Sequence, residues 1–204
     1  RGSVEVVYSA KSNKVFVVNE LNLEDYLRGI AETTQGEHAE YQKTMAVASR
    51  TYAYNYIQKG GKYGADEVFY LKNTTADQLY KGYGREILTS DFVKAVEETQ
   101  GEIIMFGSQP IVAAYSSGAA ELQTLGTRSA CLVWGKQFCD AAYGYLSGGA
   151  KDPAGTKYSY ASCSAANHCG GLSGAGTRQM AALGKSYKEI LTHYYLGTNI
   201  QKVY

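Results

Sequence analysis

Residues 39–59 read AEYQKTMAVASRTYAYNYIQK and carry the strongest helical pattern in the sequence. Side chains that can pack in a core recur at a spacing of three or four residues: Tyr41, Met45, Ala48 and Tyr52. This spacing places them on one face of a helix, and the glycines at positions 60 and 61 end it. The stretch therefore predicts a long central helix with one buried face.

β-Branched residues dominate two short runs on the N-terminal side of this helix, at residues 4–8 and 14–18. The polar residues 10–13 between them predict a turn, so we expect a β-hairpin within residues 1–20. Asn22 then provides a side chain that can cap a short helix.

The C-terminal side of the central helix predicts further strands and two helices. Residues 103–106 and 111–115 are expected to form a second hairpin, and residues 68–71 a strand. Helical spacing recurs at 172–183 and again at 186–195, where a capping box begins the helix.

Together these elements predict one α+β domain over residues 1–204. It has an N-terminal β-hairpin, a long central helix, mixed antiparallel strands and two C-terminal helices.

Composition excludes several classes of protein. Twenty Lys and Arg balance nineteen Asp and Glu, for a net charge of +1, so a nucleic-acid partner is not expected. The longest apolar runs are far shorter than the ~20 residues of a membrane span, and we expect none in this chain, nor a signal peptide. Hydrophobic residues make up 45% of the chain, enough for a substantial core.

The four cysteines lie in two close pairs within an irregular segment, residues 116–170, that is rich in Gly, Ser and Ala. Loop-closure entropy favours the local pairs Cys131–Cys139 and Cys163–Cys169. Disulfides would indicate an oxidising compartment and an extracytoplasmic or secreted protein. Zinc is the alternative, because His168 is adjacent to Cys169, although the CxxC spacing of common zinc sites is absent.

The residues alone offer few catalytic candidates, since no phosphate-binding loop, HExxH or GxSxG motif occurs. Glu32 follows the short helix and is either a solvated loop carboxylate or a cleft-wall carboxyl with a raised pKa. His168 lies in a Gly-rich loop, where it either caps a helix or contributes to a site. Arg50 on the central helix has the position of a residue in a core-edge ion pair.

Several segments, taken in order, resemble the family of stage II sporulation protein D and the amidase enhancer LytB. The similarity covers roughly residues 20–204, and its motifs are LEDYLRG at 23–29, KTMAVASRTYA at 43–53, TTADQLYKGY at 74–83, AVEETQG at 95–101, YSSG at 115–118, HCGGLS at 168–173 and GKSYKEILTHYY at 184–195.

The resemblance implies a bacterial cell-envelope protein that acts on peptidoglycan. Enzymatic members are lytic transglycosylases that cleave glycan strands stripped of stem peptides, and others enhance an amidase. The family's acid lies eight residues before a Glu that matches Glu40, which makes Glu32 the candidate catalytic residue. A substrate-positioning function is implied for Arg50, Tyr52, Asp77, Ser117, His168 and Ser173, and no cofactor is required.

The sequence departs from the family pattern at four places. Gly174 stands where the family has Gln, Cys169 where it has Gly, residues 118–120 lack a second Gly, and Thr33-Thr34 replaces Met-Pro. Two alternatives to the enzyme therefore remain open: a glycan-binding or amidase-enhancing module without catalysis, and a structural surface protein.

Overall fold

The fold is known from a computed structural model that describes residues 1–117, 126–153, 163–164 and 167–204. The helices in this part of the chain are α1 (Leu23–Arg28), α2 (Ala39–Gln58), α3 (Tyr83–Leu88), α4 (Ser90–Glu98), α5 (Ala130–Trp134), α6 (Gly174–Ala182) and α7 (Tyr187–Tyr194), with 3₁₀ helices at Lys136–Phe138 and Ala141–Leu146. The strands are β1 (Ser3–Ser9), β2 (Lys14–Glu20), β3 (Glu102–Phe106), β4 (Gln109–Pro110), β5 (Tyr115–Ser116), β6 (Leu172–Ser173) and β7 (Asn199–Lys202). The predicted α+β fold class is confirmed.

The predicted N-terminal hairpin is present as the antiparallel pair β1–β2, which forms a sheet of its own. Its register runs from Ser3 opposite Glu20 to Ser9 opposite Lys14. The connecting turn contains Asn13 with a φ of 53°, a left-handed conformation that Asn tolerates better than most residues. A local turn signal was therefore enough to predict this element.

The central helix α2 has the predicted bounds but is more deeply buried than its sequence pattern suggests. Beyond the expected apolar face, polar residues such as Thr44 and Thr51 are fully buried. They lie inside because α1, α4, α6, α7 and β3 all pack against α2. The threonine hydroxyls donate back to the carbonyls of Glu40 and Val47, each at 2.7 Å, so their burial leaves no donor unpaired. The predicted apolar face is buried, and the burial extends beyond it.

The predicted strands in the middle of the chain are confirmed only in part. Residues 68–71 form turns and bends rather than a strand. Strand β3 pairs with β4 at only two positions, and its other edge is filled by β7, in register from Glu102–Lys202 to Met105–Asn199. Strand β7 was not predicted, because its partner lies about a hundred residues away and leaves no local signal.

The Cys-rich segment 116–170 is more regular than expected, since its described part contains α5 and both 3₁₀ helices. Both predicted disulfides, Cys131–Cys139 and Cys163–Cys169, are present, and no cysteine is left free. The two ends of the segment meet in the parallel pair β5–β6.

Helices α6 and α7 confirm the two predicted C-terminal helices. Helix α7 begins with the predicted capping box, in which Glu189 N–H donates to the Ser186 hydroxyl and Ser186 N–H to the Glu189 carboxylate. One hydrophobic cluster joins side chains from α1, α2, α4 and both C-terminal helices. Among the described helices, none has both the length and the hydropathy needed to cross a bilayer.

Candidate active site

A cleft of about 530 Å³ opens beside α2, within the range usual for ligand sites. Most of the residues that the sequence predicted for the site line it together: Glu32, Tyr52, Asp77, Ser117 and His168. Arg50 and Ser173 are not among the lining residues. The cleft therefore joins residues separated by more than a hundred positions in the chain.

A second hollow, of about 330 Å³, lies between residues 151–153 and helices α6 and α7. Its carboxylate, Asp152, is fully buried and interacts with Tyr194, and its imidazole, His193, bonds the Lys151 carbonyl at 2.7 Å. Because these groups are occupied by contacts within the protein, we take the cleft that contains Glu32 as the candidate active site.

Glu32 lies at the cleft wall in the loop between α1 and α2. The backbone beside it is fixed, since Ala31 N–H donates to the Leu79 carbonyl at 2.8 Å. Its Oε1 accepts from Leu79 N–H, also at 2.8 Å, and the Tyr115 hydroxyl hydrogen-bonds the carboxylate. Burial raises the pKa of Glu32 above its ordinary value, and these two hydrogen bonds oppose that shift only in part. A half-buried carboxyl of this kind keeps its proton to higher pH, as a general acid requires.

Tyr115 is oriented by a buried hydrogen-bond network behind the cleft. Its hydroxyl accepts from Gln78 Nε2 at 3.3 Å, and the same Nε2 donates to the Ser49 carbonyl at 3.1 Å. The Tyr26 hydroxyl donates to Gln78 Oε1 at 3.1 Å, which fixes the amide. Sequence reasoning missed Gln78 and Tyr115 as site residues, although Gln78 adjoins Asp77 and Tyr115 lies two residues before Ser117.

Asp77 organises the wall of the cleft that faces Tyr52. Its side chain is fully buried and accepts from Lys62 Nζ, from the Tyr63 hydroxyl at 3.0 Å and from Lys72 N–H at 2.6 Å. Lys62 Nζ also donates to the Tyr52 hydroxyl at 2.9 Å. Asp77 is thus saturated by donors and fixes Lys62 and, through it, Tyr52. Lys62, which lines the cleft, was not predicted.

His168 lines the cleft as a neutral, immobilised ring. Burial lowers its pKa to about 4, with Arg128 adding to the effect, so the imidazole is uncharged at pH 7. Nδ1 accepts from Gly170 N–H at 3.1 Å, and a further hydrogen bond joins the ring to the Tyr115 backbone. These bonds hold the 168–170 loop against β5, which makes His168 a positioning residue for Tyr115.

Cys169 has a φ of 62°, in the left-handed region that disfavours residues with a Cβ. The family has Gly at this position, and the conformation explains why. Here the disulfide to Cys163 and the hydrogen bond from Arg128 N–H to the Cys169 carbonyl, at 2.9 Å, hold the strained residue in place. At this position the chain thus has a conformation that glycine would adopt without strain.

The left-handed conformation of Cys169 predicts which of two variants without the disulfide is the more stable. Cys163→Ser/Cys169→Gly is expected to be more stable than Cys163→Ser/Cys169→Ser by roughly 0.5–1 kcal/mol. Glycine adopts the left-handed conformation without a steric penalty in the folded state. Part of this gain is lost because glycine makes the unfolded chain more flexible. Urea unfolding of the two proteins measures the difference. Equal stability, or a more stable serine variant, would contradict the interpretation.

Arg50 is fully buried on the far side of α2 from the cleft lining. Its guanidinium makes two hydrogen bonds of 2.8 Å to the Glu24 carboxylate and donates to the Val96 carbonyl at 2.9 Å and to the Thr99 hydroxyl at 3.2 Å. Burial alone would raise the pKa of Glu24, but Arg50 holds it below its ordinary value. Arg50 therefore joins α1, α2 and α4 as a structural ion pair, and does not contact the cleft as the resemblance implied.

Ser173 is likewise nearly fully buried and serves as the N-cap of α6, where its hydroxyl accepts from Gly176 N–H at 3.1 Å. The next residue, Gly174, lines the cleft without a side chain. Arg178, one turn later, lines the cleft there and pairs with Glu37 at 2.8 Å. Ser117 accepts at its carbonyl from Ala175 N–H at 3.0 Å, whereas the predicted turn at residues 118–120 lies outside the described residues.

Two aromatic pairs line the cleft, and of their four residues only Tyr52 was predicted from the sequence. Trp134 and Phe138, with ring centroids 5.6 Å apart, face the cleft from the loop closed by Cys131–Cys139. Tyr52 and Tyr56 contribute a second aromatic pair at 5.0 Å. The one signal available in the sequence was the position of the chain's single Trp between two cysteines.

Comparison with known proteins finds a family similarity over the N-terminal part of the chain. The SpoIID family model, described as stage II sporulation protein, matches residues 11–106. The resemblance to the SpoIID family is confirmed over these residues. The SpoIID match contains Glu32, Asp77 and the whole of α2, and it supports a function related to the cell wall or to sporulation. Tyr115, Trp134 and His168 lie beyond it.

A similar protein is an uncharacterised protein of Brachyspira hyodysenteriae. It is 34% identical over 109 residues, which cover 52% of this chain and 28% of that protein. The chain therefore spans little more than a quarter of the relative it matches.

Proposed function

We propose that this protein cleaves peptidoglycan glycan strands by lytic transglycosylation, with Glu32 as the general acid and then the general base. The observation that carries the proposal is the state of the two carboxyl groups that line the cleft in the described part of the chain. Asp77 is saturated by Lys62, Tyr63 and the Lys72 backbone, whereas Glu32 is half-buried with a raised pKa and faces the open cleft.

The chemistry requires only one such group. Protonated Glu32 gives its proton to the glycosidic oxygen as the bond from that oxygen to C1 of the muramic residue breaks. The resulting carboxylate takes the proton of the 6-hydroxyl on the same residue, whose oxygen then bonds to C1. The products are a free 4-hydroxyl and a 1,6-anhydro-muramic end, and Glu32 is protonated again. A hydrolase would instead need a second carboxylate to activate water or to act as nucleophile.

Arg178 and Gly174 favour a second candidate, a glycan-binding module that enhances a cell-wall amidase without cleaving glycan. The polar group that the family places at the Gly174 position is missing, and Arg178 at that wall is already paired with Glu37. Both candidates place the protein outside the cytoplasm, in keeping with the two disulfides.

Mass spectrometry of purified denuded glycan after incubation with the protein tests the proposal. We expect fragments that end in 1,6-anhydromuramic acid. Fragments with reducing ends would indicate hydrolysis, bound but intact glycan would favour the amidase-enhancing module, and glycan that does not bind would leave a structural surface protein.

The Tyr115–Glu32 hydrogen bond predicts a shift in the pH profile. The first step needs protonated Glu32, so kcat falls as pH rises through the pKa of this group. The Tyr115 hydroxyl lowers that pKa, and Tyr115→Phe is therefore expected to move the alkaline limb of the profile to higher pH. Tyr54→Phe is the matched control, because Tyr54 lies on α2 outside the cleft lining and packs against Tyr204. An alkaline limb that stays in place or moves to lower pH in Tyr115→Phe would contradict the assignment.

A further inference from the structure

The loop closed by the Cys131–Cys139 disulfide forms a wall of the cleft beyond the segment that matches the family model. It consists of α5 and the following 3₁₀ helix, and the two Cα atoms of its cystine are 4.6 Å apart. Trp134, Gln137 and Phe138 of this Cys131–Cys139 loop all line the same cleft as Glu32 and Tyr52.

Several contacts fix the position of the loop. The Ser129 hydroxyl caps α5 by accepting from Leu132 N–H at 3.3 Å, and Arg128 N–H anchors the entry to the loop at the Cys169 carbonyl, at 2.9 Å. Gly135 has a φ of 94°, which allows the sharp change of direction from α5 into the 3₁₀ helix. The disulfide closes the remaining end, so that the cleft side of the loop is rigid.

Among the described residues, the Trp134 ring packs against two other rings. Its ring meets the edge of His168 at a centroid distance of 4.8 Å and the Phe138 ring at 5.6 Å. Phe138 in turn packs against Tyr143 at 4.7 Å. Trp134 remains half-buried, and its accessible surface belongs to the cleft. Uncharged His168 behind it adds no charge to this wall.

An aromatic ring next to a side-chain amide, as in Trp134 and Gln137, is suited to bind a sugar ring. The C–H face of a pyranose ring packs on an aromatic ring, while its hydroxyl and acetamido groups need polar partners. Gln137 lies beside Trp134, where its Nε2 donates to the Trp134 carbonyl at 2.6 Å. We propose that the Cys131–Cys139 loop is a sugar-binding subsite, in which Trp134 stacks on an N-acetylhexosamine ring and the disulfide positions Trp134. This subsite rests on the proposed function for the class of its ligand.

Trp134 is the only tryptophan of the chain, so its fluorescence reports on this subsite directly. The probe is tetra-N-acetylchitotetraose, added to the full chain carrying Glu32→Gln so that binding is measured without cleavage. We expect a saturable change in tryptophan emission and, by calorimetry, roughly tenfold weaker binding when Trp134→Ala is added. Leu132→Ala is the matched control, because Leu132 lies in the same loop, is 71% exposed and does not line the cleft.

The disulfide is tested by Cys131→Ser/Cys139→Ser in the same background. We expect this variant to bind about as weakly as Trp134→Ala, and its tryptophan emission to lose the response to sugar. Circular dichroism of the same sample verifies folding, and the Trp134→Ala result decides the subsite if this variant unfolds.

The two proposals fail in different ways. Unchanged affinity in Trp134→Ala, a silent tryptophan signal, or no binding of the tetrasaccharide would overturn the subsite. A tryptophan signal on binding, combined with no anhydro products from the wild-type protein, would overturn the cleavage reaction and leave the subsite in place.

Discussion

Replacing Glu32 with Gln is expected to lower the rate of glycan cleavage by ~10²–10⁴-fold, the usual contribution of a general acid. Glutamine keeps the shape of the side chain, and its amide oxygen can still accept the hydrogen bond that Leu79 N–H donates to Glu32 Oε1 at 2.8 Å in the wild-type protein. It cannot donate a proton to the glycosidic oxygen. Folding and sugar binding should therefore survive while turnover is lost. Mass spectrometry of the anhydro products over time gives the two rates.

Glu37→Gln provides the matched control for this experiment. Glu37 lies on the same loop but does not line the cleft, and its carboxylate pairs with Arg178 at 2.8 Å. We expect its cleavage rate to stay within a few-fold of the wild-type rate. Equal release of anhydro products by Glu32→Gln and the wild-type protein would show that Glu32 is not the acid.

The largest effect on stability is expected for Arg50→Ala, which should lower the free energy of unfolding by ~3–5 kcal/mol. The substitution removes every hydrogen bond between the guanidinium and Glu24, Val96 and Thr99. It also leaves a partly buried Glu24 carboxylate without its cation, which is the costly part of breaking such a pair. Urea unfolding measures the loss, and Arg50→Lys, which keeps the charge, should be less destabilised.

An exposed ion pair serves as the comparison for Arg50. Lys185 and Glu189 are 2.9 Å apart with both side chains 53% exposed, so Lys185→Ala is expected to cost no more than ~1 kcal/mol. Arg50→Lys should also keep its cleavage rate per folded molecule. If Arg50→Lys were stable but inactive, the result would support the substrate-positioning function that the family resemblance implied for Arg50.

The elements that could be predicted from the sequence are those specified by neighbouring residues. The bounds of α2 follow from its spacing of core residues and the glycines after it, and α7 from a capping box whose members are three positions apart. The hairpin β1–β2 follows from two β-branched runs and a short turn. In each case the residues that interact are close in sequence, so a short stretch of sequence is enough to predict the element.

The parts that could not be predicted depend on distant partners. Residues of β7 form a strand because they pair with the free edge of β3. Tyr115 is a candidate site residue because Gln78 orients its hydroxyl. Arg50 was assigned to the site from its motif, yet Glu24, on another helix, directs its side chain into the core. Glu32 was found because spacing within a motif marked it, although its half-burial depends on residues that follow it by about fifty to eighty positions.

The parallel pairing of β5 with β6 has a consequence for how such a cleft can diversify. Tyr115 lies opposite Leu172 and Ser116 opposite Ser173, so the chain leaves the part that contains Glu32 and returns to it at adjacent points. The entropy cost of closing a loop grows only logarithmically with length, by ~0.6 kcal/mol for each doubling. An intervening segment of different size or sequence can thus be exchanged at little cost to the acid-bearing half. Under the proposed function, exchange of this segment is a route to a different glycan preference that leaves Glu32 and its helix–loop surroundings in place.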